Sequence, residues 1–179
     1  MDKRLTEGIR RATEEFNHLV SGLSTEAFEA SHAGKWTAGQ DLNHLIKSLR
    51  LTNFAYALPL FMLRMLFGKP NRKSRSASEL RERYRKALVN GVKAPSMVKP
   101  GRVSHAQRDI LLKKHSEATE ILCRRLERLK DDDLEGFLVK HPAIGRVTLR
   151  EMALLTQLHT EHHTGLLKAK LSGTAAEEL

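Results

Sequence analysis

His159 and His163 stand four residues apart in the stretch Thr148 to Leu167, which reads Thr-Leu-Arg-Glu-Met-Ala-Leu-Leu-Thr-Gln-Leu-His-Thr-Glu-His-His-Thr-Gly-Leu-Leu. On a helix that spacing sets two imidazoles one above the other. Neutral imidazole is the commonest protein ligand for transition metals, and such a pair can put two nitrogens on one ion. Two core or surface histidines hydrogen-bonded to neighbours would have the same spacing, so the pair alone leaves both readings open. Thr148 and Glu151 form a capping box, able to satisfy free N–H groups where the helix starts. Met152, Thr156, His159, His163 and Leu167 then share one face, which should look into a core.

Other reactive side chains carry weaker patterns. His115 falls on the apolar side of Leu111, Ala118, Leu122 and Leu129, with Ile110 and Ile121 alongside, which suits a satisfied core histidine or an extra ligand. Cys123 has no CxxC partner and reads as a small buried hydrophobe. Asp131, Asp132 and Asp133 read as a solvated turn ending the preceding helix, since no cation-binding loop follows. Glu161 lies on another face from His159 and His163, and no general base can be assigned.

The elements that must position these residues follow from periodicity and caps. Leu5, Ile9, Ala12, Phe16, Leu19 and Leu23 predict a first helix from Asp2 to Ser21, stopped at Gly22. Ser24 and Thr25 start a short turn of helix through Phe28, and Ser31 to Lys35 reads as loop. Thr37 and Gln40 form a second capping box, opening a helix that carries Leu42, Leu45, Ile46, Leu49 and Asn53, with His44 near the edge of that stripe. Pro59 should kink or end this helix, and Leu60 to Phe67 can continue as a separate apolar one. Gly68 to Ser78 reads as linker, Ser78 to Val89 as a short helix with Leu80, Tyr84 and Leu88 on one face, and Val92 to Arg102 as loop. A third box, Ser104 with Gln107, opens the next long helix. His141 to Val147 leads into the last helix, which should close near Leu171, with Ser172 to Leu179 frayed. Four long helices with an extended crossover over 68–102 predict one all-α domain over 1–179, a four-helix bundle with one or two short extra helices.

Composition agrees. With 40% hydrophobic and only 5% aromatic residues, helices are favoured over a sandwich or barrel. A single cysteine excludes an internal disulfide framework and suits a reducing cytosol. Met1 to Arg11 is charged and helical in pattern, unlike a secretory leader, and the apolar run Phe54 to Phe67 is short for a membrane span, so a cytoplasmic protein is expected. The net charge of +10 is uneven: between Ile46 and Arg108 the acids are Glu79 and Glu82 alone. That block suits a solvated connection, or else a surface for nucleic acid or another anionic partner, although it has few aromatics to stack on bases.

Trp36-Thr37-Ala38-Gly39-Gln40-Asp41-Leu42-Asn43-His44-Leu45, followed much later by His159-x-x-x-His163, resembles the DinB/YfiT-like superfamily of metal-dependent enzymes, many of whose members have no assigned reaction. There a Trp-Ser/Thr opening precedes a helix with a His-Leu pair, and the final helix carries His-x-x-x-His. Leu-Ser-Thr-Glu-Ala-Phe and Leu-Lys-Asp-Asp-Asp-Leu resemble its segments too, whereas Phe54 to Arg102 matches none of them. The resemblance implies a four-helix bundle, often a homodimer, with His44, His159 and His163 as ligands of a divalent ion, commonly nickel or zinc. It further implies transfer of a low-molecular-weight thiol, or its use as a cofactor in isomerisation, and the three-histidine set itself leads to the expectation of a metal-dependent hydrolase or thiol transferase acting on a small molecule. His162 points about a quarter-turn away and is left out. Asp41, one turn before His44, can orient that imidazole or simply favour the helix dipole. The three histidines lie about 10, 16 and 22 Å along their helices, so one ion can touch all three only if neighbouring helices bring those depths level. The three imidazoles are then expected to converge on a cavity, with the basic crossover near its opening.

Overall fold

The computed structural model describes residues 3–31 and 34–173 and is mostly helical. Its frame is four long helices: α1 (Lys3–Ser21), α3 (Ala38–Ala57), α6 (Arg108–Leu126) and α8 (Leu149–Ser172). Between them lie α2 (Thr25–Glu29), α4 (Leu60–Phe67), α5 (Ala77–Val89), α7 (Asp131–Gly136) and a hairpin of β1 (Leu138–His141) and β2 (Gly145–Thr148). Helix α1 packs on α6 and α8, and α3 packs on the same two, so α1 and α3 face each other across the bundle. Arg10 meets Glu120 while Asn17 meets Ser116, making α1 and α6 antiparallel. Lys168 meets Glu15, and Gln157 lies against Gly8, making α1 and α8 parallel. Asp41 meets Lys170 while Tyr56 donates to the Leu149 carbonyl, making α3 and α8 antiparallel.

The order is therefore up, down, down, up. Helices α3 and α6 run the same way, so the chain must travel back along the bundle between them, and residues 58–107 form that crossover. The antiparallel packing of α3 on α8 answers the depth problem. The start of α3 lies beside the later half of α8, so His44 is level with His159 and His163.

Caps form as the spacing predicts. Thr37 Oγ1 accepts from Gln40 N at 3.1 Å, and Thr148 Oγ1 from Glu151 N at 3.1 Å. Glu151 also ties the crossover down. Fully buried, its carboxylate takes both Arg72 guanidinium nitrogens at 2.6 and 2.8 Å and the Arg75 amide at 2.7 Å. Burial raises the Glu151 pKa, but these bonds and the Arg72 charge outweigh it, and the net shift is downward.

Three details differ from the expectations. Asp131–Asp133 begin α7 rather than end α6: with Lys130 N donating to Asp133 Oδ2 at 3.0 Å, the acids occupy a first turn, where the dipole favours them. Residues 138–148 form an antiparallel hairpin, with His141 opposite Gly145 at its turn and Gly145 at φ +84°. Its alternation is too short to stand out in the sequence, and its turn needs a residue tolerant of positive φ. The long helix after Ser104 starts with a 3₁₀ turn, His105–Gln107, before α6 proper. The expected fraying of the C-terminal residues falls mostly on 174–179, outside the described residues.

Apolar side chains form two clusters, one around Leu5, Ile9, Leu49, Leu122 and Leu155, the other around Phe16, Val20, Leu42, Leu45 and Leu111. Along α1, α6 and α8, buried polar residues separate them: Thr13, His115, and Thr160, His163 and Thr164. No described helix is long and apolar enough to cross a membrane.

Candidate metal centre

His44, His159 and His163 come together in that polar layer. His44 Nε2 lies 3.0 Å from His159 Nε2, and His163 Nε2 lies 3.2 Å from the same atom. All three donor atoms fall within 4.8 Å of one another. Two ligands about 2.0–2.1 Å from one ion, at a tetrahedral angle, stand roughly 3.3–3.4 Å apart. The spacing present is close to that.

The far sides of two rings are held. His44 Nδ1 donates to the Val98 carbonyl at 2.9 Å, and His163 Nδ1 donates to Asp41 Oδ1 at 3.0 Å. Asp41 thus orients His163 on the facing helix rather than His44 on its own. Its other oxygen takes Lys170 Nζ at 2.6 Å, and Lys170 also reaches the Trp36 carbonyl at 2.8 Å. Burial works to raise the Asp41 pKa, but His163 and Lys170 overcome it and the net shift is downward. The Trp36 ring runs nearly parallel to His163, 6.4 Å between centroids, and closes the site on that side.

Protons placed on the two Nδ1 atoms leave Nε2 of His44 and of His163 as acceptors. Both face His159 Nε2, which has one proton at most to give, so the hydrogen bonds cannot all be satisfied among the rings. A cation at the common point would receive all three lone pairs, and the donor set fits a divalent metal. Protons compete poorly for it. Burial first, then the nearby His163, pushes His44 down to about 4, and burial followed by the other imidazoles puts His159 well below its ordinary value.

The histidines open into a cavity of about 660 Å³ between α3, α8, the hairpin and the crossover. Sequence reasoning missed part of its wall. Tyr84 of α5 sets its ring edge toward His159, His162 and His141, at 6.2, 6.0 and 6.2 Å between centroids. His162, set aside on helical geometry, lines this wall, because α5 covers that flank of α8. Tyr84 shared a helical face with Leu80 and Leu88, but nothing local could say what that face would cover. Glu161 is held by Arg81 at 2.9 Å and Gln157 at 2.7 Å, outside the cavity wall. His115 lies outside it as well, buried, with Nδ1 2.7 Å from Asn17 Oδ1.

The crossover does line the cavity, but mainly with Tyr84, Leu88, Val92, Ala94, Pro95 and Val98; Lys93 is its cationic contribution to the lining. Arg72 and Arg75 are engaged by Glu151, Arg81 by Glu161 and Arg85 by Glu82.

No curated protein and no solved structure matches the chain. The family model of the DinB superfamily matches residues 9–167, a span that contains the bundle from within α1 to the last turns of α8 and all three convergent histidines, and the chain belongs to that superfamily.

Proposed function

We propose that the protein is a metal-dependent enzyme, a hydrolase or thiol transferase, that holds one divalent ion, nickel or zinc, on His44, His159 and His163 and acts on a small molecule. One observation carries this reading: two rings fixed through Nδ1 aim their Nε2 lone pairs at a third Nε2 beside an open cavity. Membership of a metal-binding helical family supports it. When bound, the ion supplies Lewis acidity, able to acidify a water or thiol or to polarise a substrate oxygen.

The chain's own residues do the rest. Val98 and Asp41 keep two rings in the ligating tautomer and orientation, a role for which carboxylate and carbonyl partners suit metal-bound histidines. Lys170 holds Asp41 ionised. Trp36 shields one side, and a volume of about 660 Å³ lies within the ~300–1,000 Å³ usual for small-molecule sites. Tyr84 and His162 border the space where a substrate would lie and can donate hydrogen bonds into it. The test is metal analysis of the untagged protein purified from nickel- and zinc-supplemented cells. About one ion per chain is expected; protein that stays free of metal under those conditions sinks the proposal.

A further inference from the structure

Beyond the histidines the cavity lining is largely hydrocarbon, Leu49 of α3, Leu88 of α5, Val139 of β1 and Leu155 of α8 among it, interrupted by Ser48, Thr52 and Thr156. The apolar surface continues past the mouth. Four lining residues are also exposed: Leu51 at 37%, Phe54 at 64%, Leu66 at 59% and Val92 at 39%. Water in such a space finds few polar partners, and exposed apolar side chains gathered around one cavity suit a bound apolar group. The charged lining is one-sided. Lys35, Lys93, Lys140 and Lys170 face a single carboxylate, Asp41, which His163 and Lys170 already hold.

We propose that this site binds an anionic amphiphile, its head at the three imidazoles and its hydrocarbon body along the apolar wall toward the Phe54–Leu66 rim. The head's placement rests on the metal-centre reading above; the body's does not. Burial of a methylene is worth about 0.8 kcal/mol, so each one added to a chain that fits should tighten binding about fourfold.

Trp36 is the only tryptophan and lines the cavity, so its fluorescence reports occupancy. The full chain, stripped of metal by a chelator, is titrated with n-alkanoates of about four to ten carbons, and then with n-alkylammonium ions of equal length. The expected result is a Kd that falls about fourfold per methylene on the metal-free protein, with alkanoates becoming the tighter series once zinc is restored to the imidazoles. Ala55→Leu, which intrudes on the wall, should flatten that dependence while circular dichroism stays that of the parent. If that variant misfolds, Ala94→Leu, on the loop side of the cavity, replaces it. A Kd independent of chain length on the metal-free protein, a zinc-loaded protein that still prefers the ammonium series, or a folded narrowing variant with the parent's dependence overturns the proposal. Metal analysis and the chain-length dependence fail separately, because that dependence is read on metal-free protein.

Discussion

His115 and the His44–His159–His163 group are buried imidazoles in one bundle, yet they are chemically unlike. His115 is fully buried beside Phe16, bonded through Nδ1 to Asn17, and its Nε2 has no hydrogen-bond partner among the described residues. Burial alone pushes it down to about 3. Of the other three, His44 and His163 are likewise bonded outward, to Val98 and Asp41, but the Nε2 atoms of all three meet beside a cavity. Burial makes an imidazole neutral; convergence beside open space is what lets a group of them offer lone pairs to one ion. A lone neutral histidine in a core costs stability at low pH and does nothing further.

The sharpest way to break this contrast is to remove one imidazole from each place. His163→Ala should abolish stoichiometric metal binding, with a loss above the ~10–100-fold typical of residues that only support a ligand, while helical content barely changes. His115→Leu should leave metal binding as in the parent. Calorimetric titration with zinc and circular dichroism on both variants check the pair; a His163→Ala protein of parental affinity would remove that residue from the site.

Asp41→Asn sharpens the comparison by touching the support and not the ligands. Metal affinity should drop about 10–100-fold, because the amide still accepts from His163 but no longer carries charge. Stability should fall too, since Lys170, with 11% of its side chain exposed, loses its carboxylate. Zinc titration and thermal melts would record both, and an unchanged affinity would reduce Asp41 to a helix-terminal acid.

The smallest effect concerns pH. Folded His115 titrates near 3 and an unfolded histidine near 6.5, so the unfolded chain takes up the proton first as pH falls. The stability this neutral imidazole retains is complete above about pH 6.5 and declines toward pH 3, by roughly 2 kcal/mol at pH 5. His44 and His159 contribute with the same sign, so the difference between parent and His115→Leu isolates the His115 share. Urea melts of the metal-free proteins at pH 7 and pH 5 should show the parent losing more stability than the variant. Equal losses would mean His115 is not held neutral.

Much of the frame was legible in the chain itself. The capping boxes at Thr37 and Thr148, Pro59 at the break between α3 and α4, and the one-face placement of His159 with His163 depend on residues within a turn or two of one another, and local spacing determines them. The membership of His44 came from resemblance, since no periodicity links positions 115 residues apart. Only tertiary structure decided the rest. The antiparallel seating of α3 on α8 levels the three imidazoles and turns Asp41 toward His163 instead of His44. The ion pairs of Arg72 and Arg75 with buried Glu151 anchor the crossover, and Tyr84 and His162 line one wall of the cavity. Such pairings rest on apolar packing spread over whole helix faces, which is non-directional, so no short stretch of sequence can specify which polar groups it will bring face to face.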